Sequence, residues 1–136
     1  MANFIYGKAK QSLLNGEFNI SSDSLKVLLV TESYVPNQNI DQFVSNISGS
    51  YIKQRTSSLT NVTNTLGVID ADNVLVSNYD GSAFKALVIY KDSGTDATSR
   101  LLAYIDTATG LPVSSSASPI SITINWSNEQ YKIFSL

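Results

Sequence analysis

Along most of this chain apolar and polar residues alternate with a period of two, the spacing that puts successive side chains on opposite faces of a strand. The cleanest case is Ile120, Ile122, Ile124 and Trp126, interleaved with Ser121, Thr123 and Asn125. It predicts a half-buried strand with Trp126 in the core. Ser24–Thr31 breaks the rule instructively: Leu25–Val30 is apolar except at Lys26, so both faces are covered and the strand is central. Phe84–Lys91 is a second central strand, with Phe84, Ala86, Val88 and Tyr90 facing one way and Leu87 and Ile89 the other. After the polar loop Asp92–Ser99, Arg100–Asp106 returns with Leu101, Ala103 and Ile105 opposite Leu102 and Tyr104. Thr109-Gly110 turns the chain and Pro112 bars an interior strand. Tyr131–Leu136 reads as the closing strand, and its apolar last residue predicts a packed terminus.

The rest is less regular. Tyr51–Ser58 alternates and carries Lys53 and Arg55, as an edge strand does. Thr60–Asp70 is β-prone, Asp72–Ser77 places Val74 and Val76 on one face, and Asp80-Gly81 is a turn. Pro36 lies in a loop, and Asp41–Ile47 fits one or two helical turns with Phe43, Val44 and Ile47 on one side. Phe4–Leu14 has the helical spacing Ile5, Ala9, Leu13, with Asn3 as N-cap and Gly16 just past the end. At about eleven residues it is too short to stand alone, so it must dock on a sheet or on a neighbouring subunit. The sum is about eight strands at roughly ten-residue spacing and one short N-terminal helix. We expect a mainly β fold, an antiparallel β-sandwich, with a small β-barrel as the alternative. Residues 1–136 form a single domain in which residues 1–16 are a helical N-terminal arm.

Composition narrows the function. Apolar residues are 43% of the chain and charged residues only 15%, against roughly 25% in ordinary soluble domains. Ser, Thr and Asn take up about a third of the positions and supply the outward faces of the strands. A net charge of −2 and scattered lysines and arginines give no basic stripe for nucleic acid. The chain has neither cysteine nor histidine. It therefore lacks thiolate ligands, the commonest general base, and the usual partner of a Ser nucleophile. No secretory signal is visible, and apolar runs such as Val27–Val30 are far too short to span a bilayer. No membrane partner is expected.

Several residue sets invite chemistry. Asp70 and Asp72 open like a calcium loop, but no Gly follows at the sixth position and no Glu at the twelfth. Together with Asp80, Asp92, Asp96 and Asp106, they are better explained as turn residues that bond their own backbone. Nothing selects a carboxylate pair for glycoside hydrolysis from the acids, among which Glu17, Glu32 and Glu129 are the glutamates. Tyr34, Tyr51, Tyr79 and Tyr131 could line a sugar platform, although tyrosines more often sit in cores or interfaces with a wet hydroxyl. Sequons at Asn19, Asn46, Asn61 and Asn125 follow from the abundance of Ser, Thr and Asn. No catalytic, cofactor-binding or metal-binding residue is assigned, and no enzyme is expected.

One stretch, Ala86-Leu-Val-Ile-Tyr-Lys-Asp-Ser-Gly94, continues through Thr98-Ser-Arg-Leu-Leu-Ala-Tyr-Ile-Asp106 and Thr107-Ala-Thr-Gly-Leu-Pro-Val113. With Tyr131-Lys-Ile-Phe-Ser-Leu136, Tyr6-Gly-Lys-Ala-Lys10, Leu14-Asn-Gly16 and Leu25-Lys-Val-Leu-Leu-Val30, it resembles a family of small structural proteins of tailed bacteriophages. The middle, about Glu32 to Ser82, shares little of this likeness. The resemblance implies a non-enzymatic virion component, made in the host cytoplasm and located in the virion. Its favoured role is a capsid decoration or cement protein that contacts the major capsid protein and copies of itself, most simply as trimers. The alternatives are a tail or head–tail connection component and a host-surface glycan-binding module.

Overall fold

The computed structural model describes residues 3–107, 111–116, 119–126 and 133–135. It is mainly β, with antiparallel sheets, one helix and no closed barrel among the described residues, consistent with a β-sandwich. The strands are β1 (Phe4–Ile5), β2 (Leu25–Val30), β3 (Ile52–Arg55), β4 (Thr63–Thr65), β5 (Val68–Asp70), β6 (Val74–Tyr79), β7 (Ala86–Lys91), β8 (Arg100–Ile105), β9 (Ile120–Ile124) and β10 (Phe134–Ser135). The helix α1 is Gly7–Leu14. A five-stranded sheet runs β1-β8-β7-β2-β3, a three-stranded one β10-β5-β4, and β6 pairs with β9.

The apolar runs end up where covered faces are needed. β7 and β8 are adjacent and almost wholly buried, and β2 lies between β7 and β3. In β2 the exception, Lys26, reaches out to Asp92 at 2.6 Å. β3 ends the sheet, and Lys53, Gln54 and Arg55 are exposed along it. In β6 the alternation Val74 in, Leu75 out, Val76 in breaks at a bulge where Asn78 has φ 54°. The extra residue turns Tyr79 inward, and its hydroxyl donates to the Ser82 carbonyl at 2.6 Å. Trp126 is buried, with its indole N–H donating to the Asp72 carbonyl at 3.1 Å.

Two local expectations, both at the N-terminus, need correction. The segment Phe4–Leu14 is not one helix: Phe4 and Ile5 pair with Tyr104 and Ala103 before α1 begins. Consequently Asn3 is no N-cap; its amide Oδ1 accepts the Asp106 N–H at 2.9 Å and its Nδ2 donates to Thr107 Oγ1. Pairing on the edge of β8, with the Tyr6 N–H donating to the Leu102 carbonyl at 3.1 Å, satisfies this backbone without a further helical turn. Gly16 does follow the helix, at φ 74°. Asp41–Ile47 holds a single 3-10 turn, Val44–Asn46, below which Asn46 Oδ1 accepts the Gln42 and Phe43 N–H groups. Thr60–Asp70, β-prone in sequence, forms a hairpin, β4 and β5, folded at Leu66-Gly67. The Thr109-Gly110 turn lies outside the described residues, as do Tyr131, Lys132 and Leu136 of the closing strand.

α1 docks on the chain's own sheet, with Ala9 and Ser12 buried against it and Tyr6 buried just ahead. Arg100, at the start of β8, holds this junction. It donates to Ser12 Oγ at 3.1 Å, pairs with Glu17 at 2.5 Å, and lies 5.3 Å from the centre of the Phe43 ring.

Candidate binding cleft

A cleft of about 650 Å³ opens at the end of the five-stranded sheet where β2 stops and β3 and β7 begin. Backbone pairs build its walls. Thr31 N–H donates to the Tyr51 carbonyl at 2.9 Å and Lys85 N–H to the Val30 carbonyl at 2.8 Å. Phe84 and Val113 exchange both their N–H···O bonds, at 3.1 and 2.8 Å. Pro112 therefore ends regular pairing as expected, while the next residue still forms an isolated bridge to Phe84. One wall carries Thr31, Glu32 and Ser33; the opposite side has Ser50, Tyr51 and Lys53. Ala83, Phe84 and Lys85, with Asp106 and residues 112–114, complete the lining.

This lining offers binding chemistry. Two carboxylates accept, two ammonium groups donate, four hydroxyls from Thr31, Ser33, Ser50 and Ser114 do either, and Tyr51 adds a half-exposed aromatic ring. Its residues come from five separate stretches of chain, so no sequence motif announces it. The signal available in the sequence was indirect, namely polar residues placed just past the ends of apolar strands.

The structure separates the tyrosines grouped by sequence. Tyr51 lines the cleft, whereas Tyr34 and Tyr79 are buried and Tyr131 lies outside the described residues. Tyr34 donates to Asp41 at 2.8 Å; its single proton being used there, Tyr6 must donate across the 2.8 Å contact between the two hydroxyls. Burial, first of all, pushes both phenols well above their ordinary range. Burial, followed by the neighbouring Asp80, raises Tyr79 to about 12.

The acids are likewise dispersed. Asp70 accepts the Ala71 N–H, Asp80 that of Ser82, and Asp92 that of Gly94, each as a turn residue bonding its own backbone. Asp72 ties the loop ahead of β4, accepting from Thr60 Oγ1 and, at 2.6 Å, from Asn61 Nδ2. Asp96 takes a two-pronged bond from Arg55 at 2.6 and 2.8 Å. Among the described residues no three of His, Cys, Asp and Glu gather as a metal would require. No helix among them is long and apolar enough to cross a membrane.

A second surface feature is the β4–β5 hairpin. All three residues of β4 are exposed, and β4 is the outer strand of its sheet. At the tip, Leu66 and Gly67 both have positive φ, 52° and 82°, the arrangement of a type I′ turn. Leu66 is 98% exposed. No family model matches the chain, and no curated protein or solved structure matches it.

Proposed function

We propose that this protein is a non-enzymatic structural component of a tailed-phage virion, a decoration or cement protein that binds the major capsid protein and further copies of itself. The observation that carries it is where the phage-like segments fall. Those quoted from residues 6–10, 14–16, 25–30, 86–94 and 98–106 make up α1, β2, β7 and β8. β8, β7 and β2 are consecutive neighbours in the large sheet, and α1 packs on β8. Most of the likeness thus falls on one physical unit, the framework of the core, while the segments quoted from residues 107–113 and 131–136 reach the cleft lining and β10. The unlike middle, residues 32–82, supplies edge strand β3, exposed strand β4 and the leucine-tipped hairpin. A shared framework with divergent outer elements suits a protein whose task is contact with neighbours, each contact modest and their number giving the hold.

Leu66 supports the same role. An apolar side chain held in water, in a backbone region that costs a residue with a Cβ roughly 1–2 kcal/mol, does not help the isolated fold. Seated in a neighbour it would repay that cost by burial. The open edges of β3 and β4 favour a second reading, a tail-ring subunit that pairs strands across copies. Quantifying the protein in separated heads and tails decides between them. A decoration protein is expected in many copies in the head fraction and on emptied, tailless shells. Recovery with tails alone supports the second reading, and absence from purified virions overturns both.

A further inference from the structure

We propose that the cleft between the ends of β2, β3 and β7 binds a neutral saccharide of one or two rings. Its volume of about 650 Å³ falls inside the range of small-ligand sites, roughly 300–1,000 Å³. The charges in its lining decide the class of ligand. Lys53 and Lys85 are matched by Glu32 and Asp106, so a phosphate or carboxylate would meet as much repulsion as attraction. A purely apolar ligand would strip water from the charged ends of Glu32, Lys53 and Lys85 without replacing their hydrogen bonds.

A sugar avoids both costs. Vicinal hydroxyls donate in pairs to a carboxylate, ammonium groups donate to hydroxyl oxygens, and Tyr51 offers its ring to the C–H face of a pyranose. The walls are already set by the Thr31–Tyr51, Lys85–Val30 and Phe84–Val113 backbone bonds, so little ordering remains to oppose binding. Such a site is independent of the virion role. A protein confirmed in phage heads but indifferent to sugars would sink this inference alone, and sugar binding by a protein absent from virions would sink only the other.

The test is an amide NMR titration of the full chain with lactose, maltose, cellobiose and chitobiose, with glucuronic acid and inorganic phosphate as charged comparators. At least one neutral disaccharide is expected to move the amides of Thr31, Ser50, Phe84 and Val113 saturably. Tyr51→Ala should weaken that binding roughly tenfold, the loss of one aromatic contact. Glu32→Ala, at an exposed rim position, should also weaken it without touching the core, and it serves if the tyrosine variant fails to fold. Cleft amides that ignore every neutral sugar overturn the inference. So does a response to phosphate or glucuronate alone, or binding that survives replacement of both Tyr51 and Glu32.

Discussion

Leu66 and the Tyr34 hydroxyl show how much single residues decide here, in opposite directions. Leu66 occupies a turn position where Asn or Gly is ordinarily found, because an L-residue with a bulky Cβ is crowded at φ 52°. Leu66→Asn should therefore stabilise the free protein by about 1 kcal/mol, seen as a rise of about 2–5 °C in thermal midpoint. The same change should weaken attachment to the virion. A lower midpoint would show that the leucine serves the fold after all. Tyr34 sits in the middle of a buried relay from Tyr6 to Asp41. Tyr34→Phe removes the acceptor that the Tyr6 hydroxyl uses, and should cost about 1–3 kcal/mol in urea denaturation. The sequence groups Tyr34 with surface platforms because alternation does not tell which loop residue a long-range partner will bury.

Among the elements, the N-terminal segment carries the sharpest test. β1 covers the outer edge of β8, Tyr6 is fully buried, and Ala9 packs inward from α1. Deleting residues 1–15 should abolish cooperative melting and near-ultraviolet dichroism, where a detachable arm would leave both intact. The loops beside β7 and β8 respond instead to pH. Lys26 beside Asp92, and Arg55 beside Asp96, hold these carboxyls below their ordinary range, and the backbone N–H of Ser82 does the same for Asp80. A carboxyl depressed in the folded state adds stability above its unfolded value, near about 3.9, and that stability is lost as pH falls below it. Each exposed ion pair is worth only about 0.2–1 kcal/mol and is screened by salt. Replacing Lys26 and Arg55 by Met should therefore make the urea midpoint fall less steeply between about pH 5 and pH 2. An unchanged slope would show that the pairs contribute nothing.

For the whole molecule, the strands share one apolar core but are not equally deep in it. Val88 on β7, flanked by apolar Leu87 and Ile89, is fully buried, whereas Ile122 on β9, alternating with Ser121 and Thr123, is half-buried. Val88→Asp should abolish the cooperative transition because its carboxylate has nowhere to find water. Ile122→Asp should keep the transition and lower its midpoint; equal damage at both sites would mean β9 is as enclosed as β7. From the sequence by itself came the antiparallel β class, the central places of β2 and β7, the edge place of β3 and the burial of Trp126. Each of these follows from local alternation, and a strand's own pattern records how many of its faces are covered. Only the tertiary structure decided the order β1-β8-β7-β2-β3, the conversion of residues 4–5 from helix to strand, and the gathering of Glu32, Tyr51, Lys85 and Asp106 around one cleft. Those depend on which distant backbone supplies the missing hydrogen bonds, and a period of two contains no record of its partner.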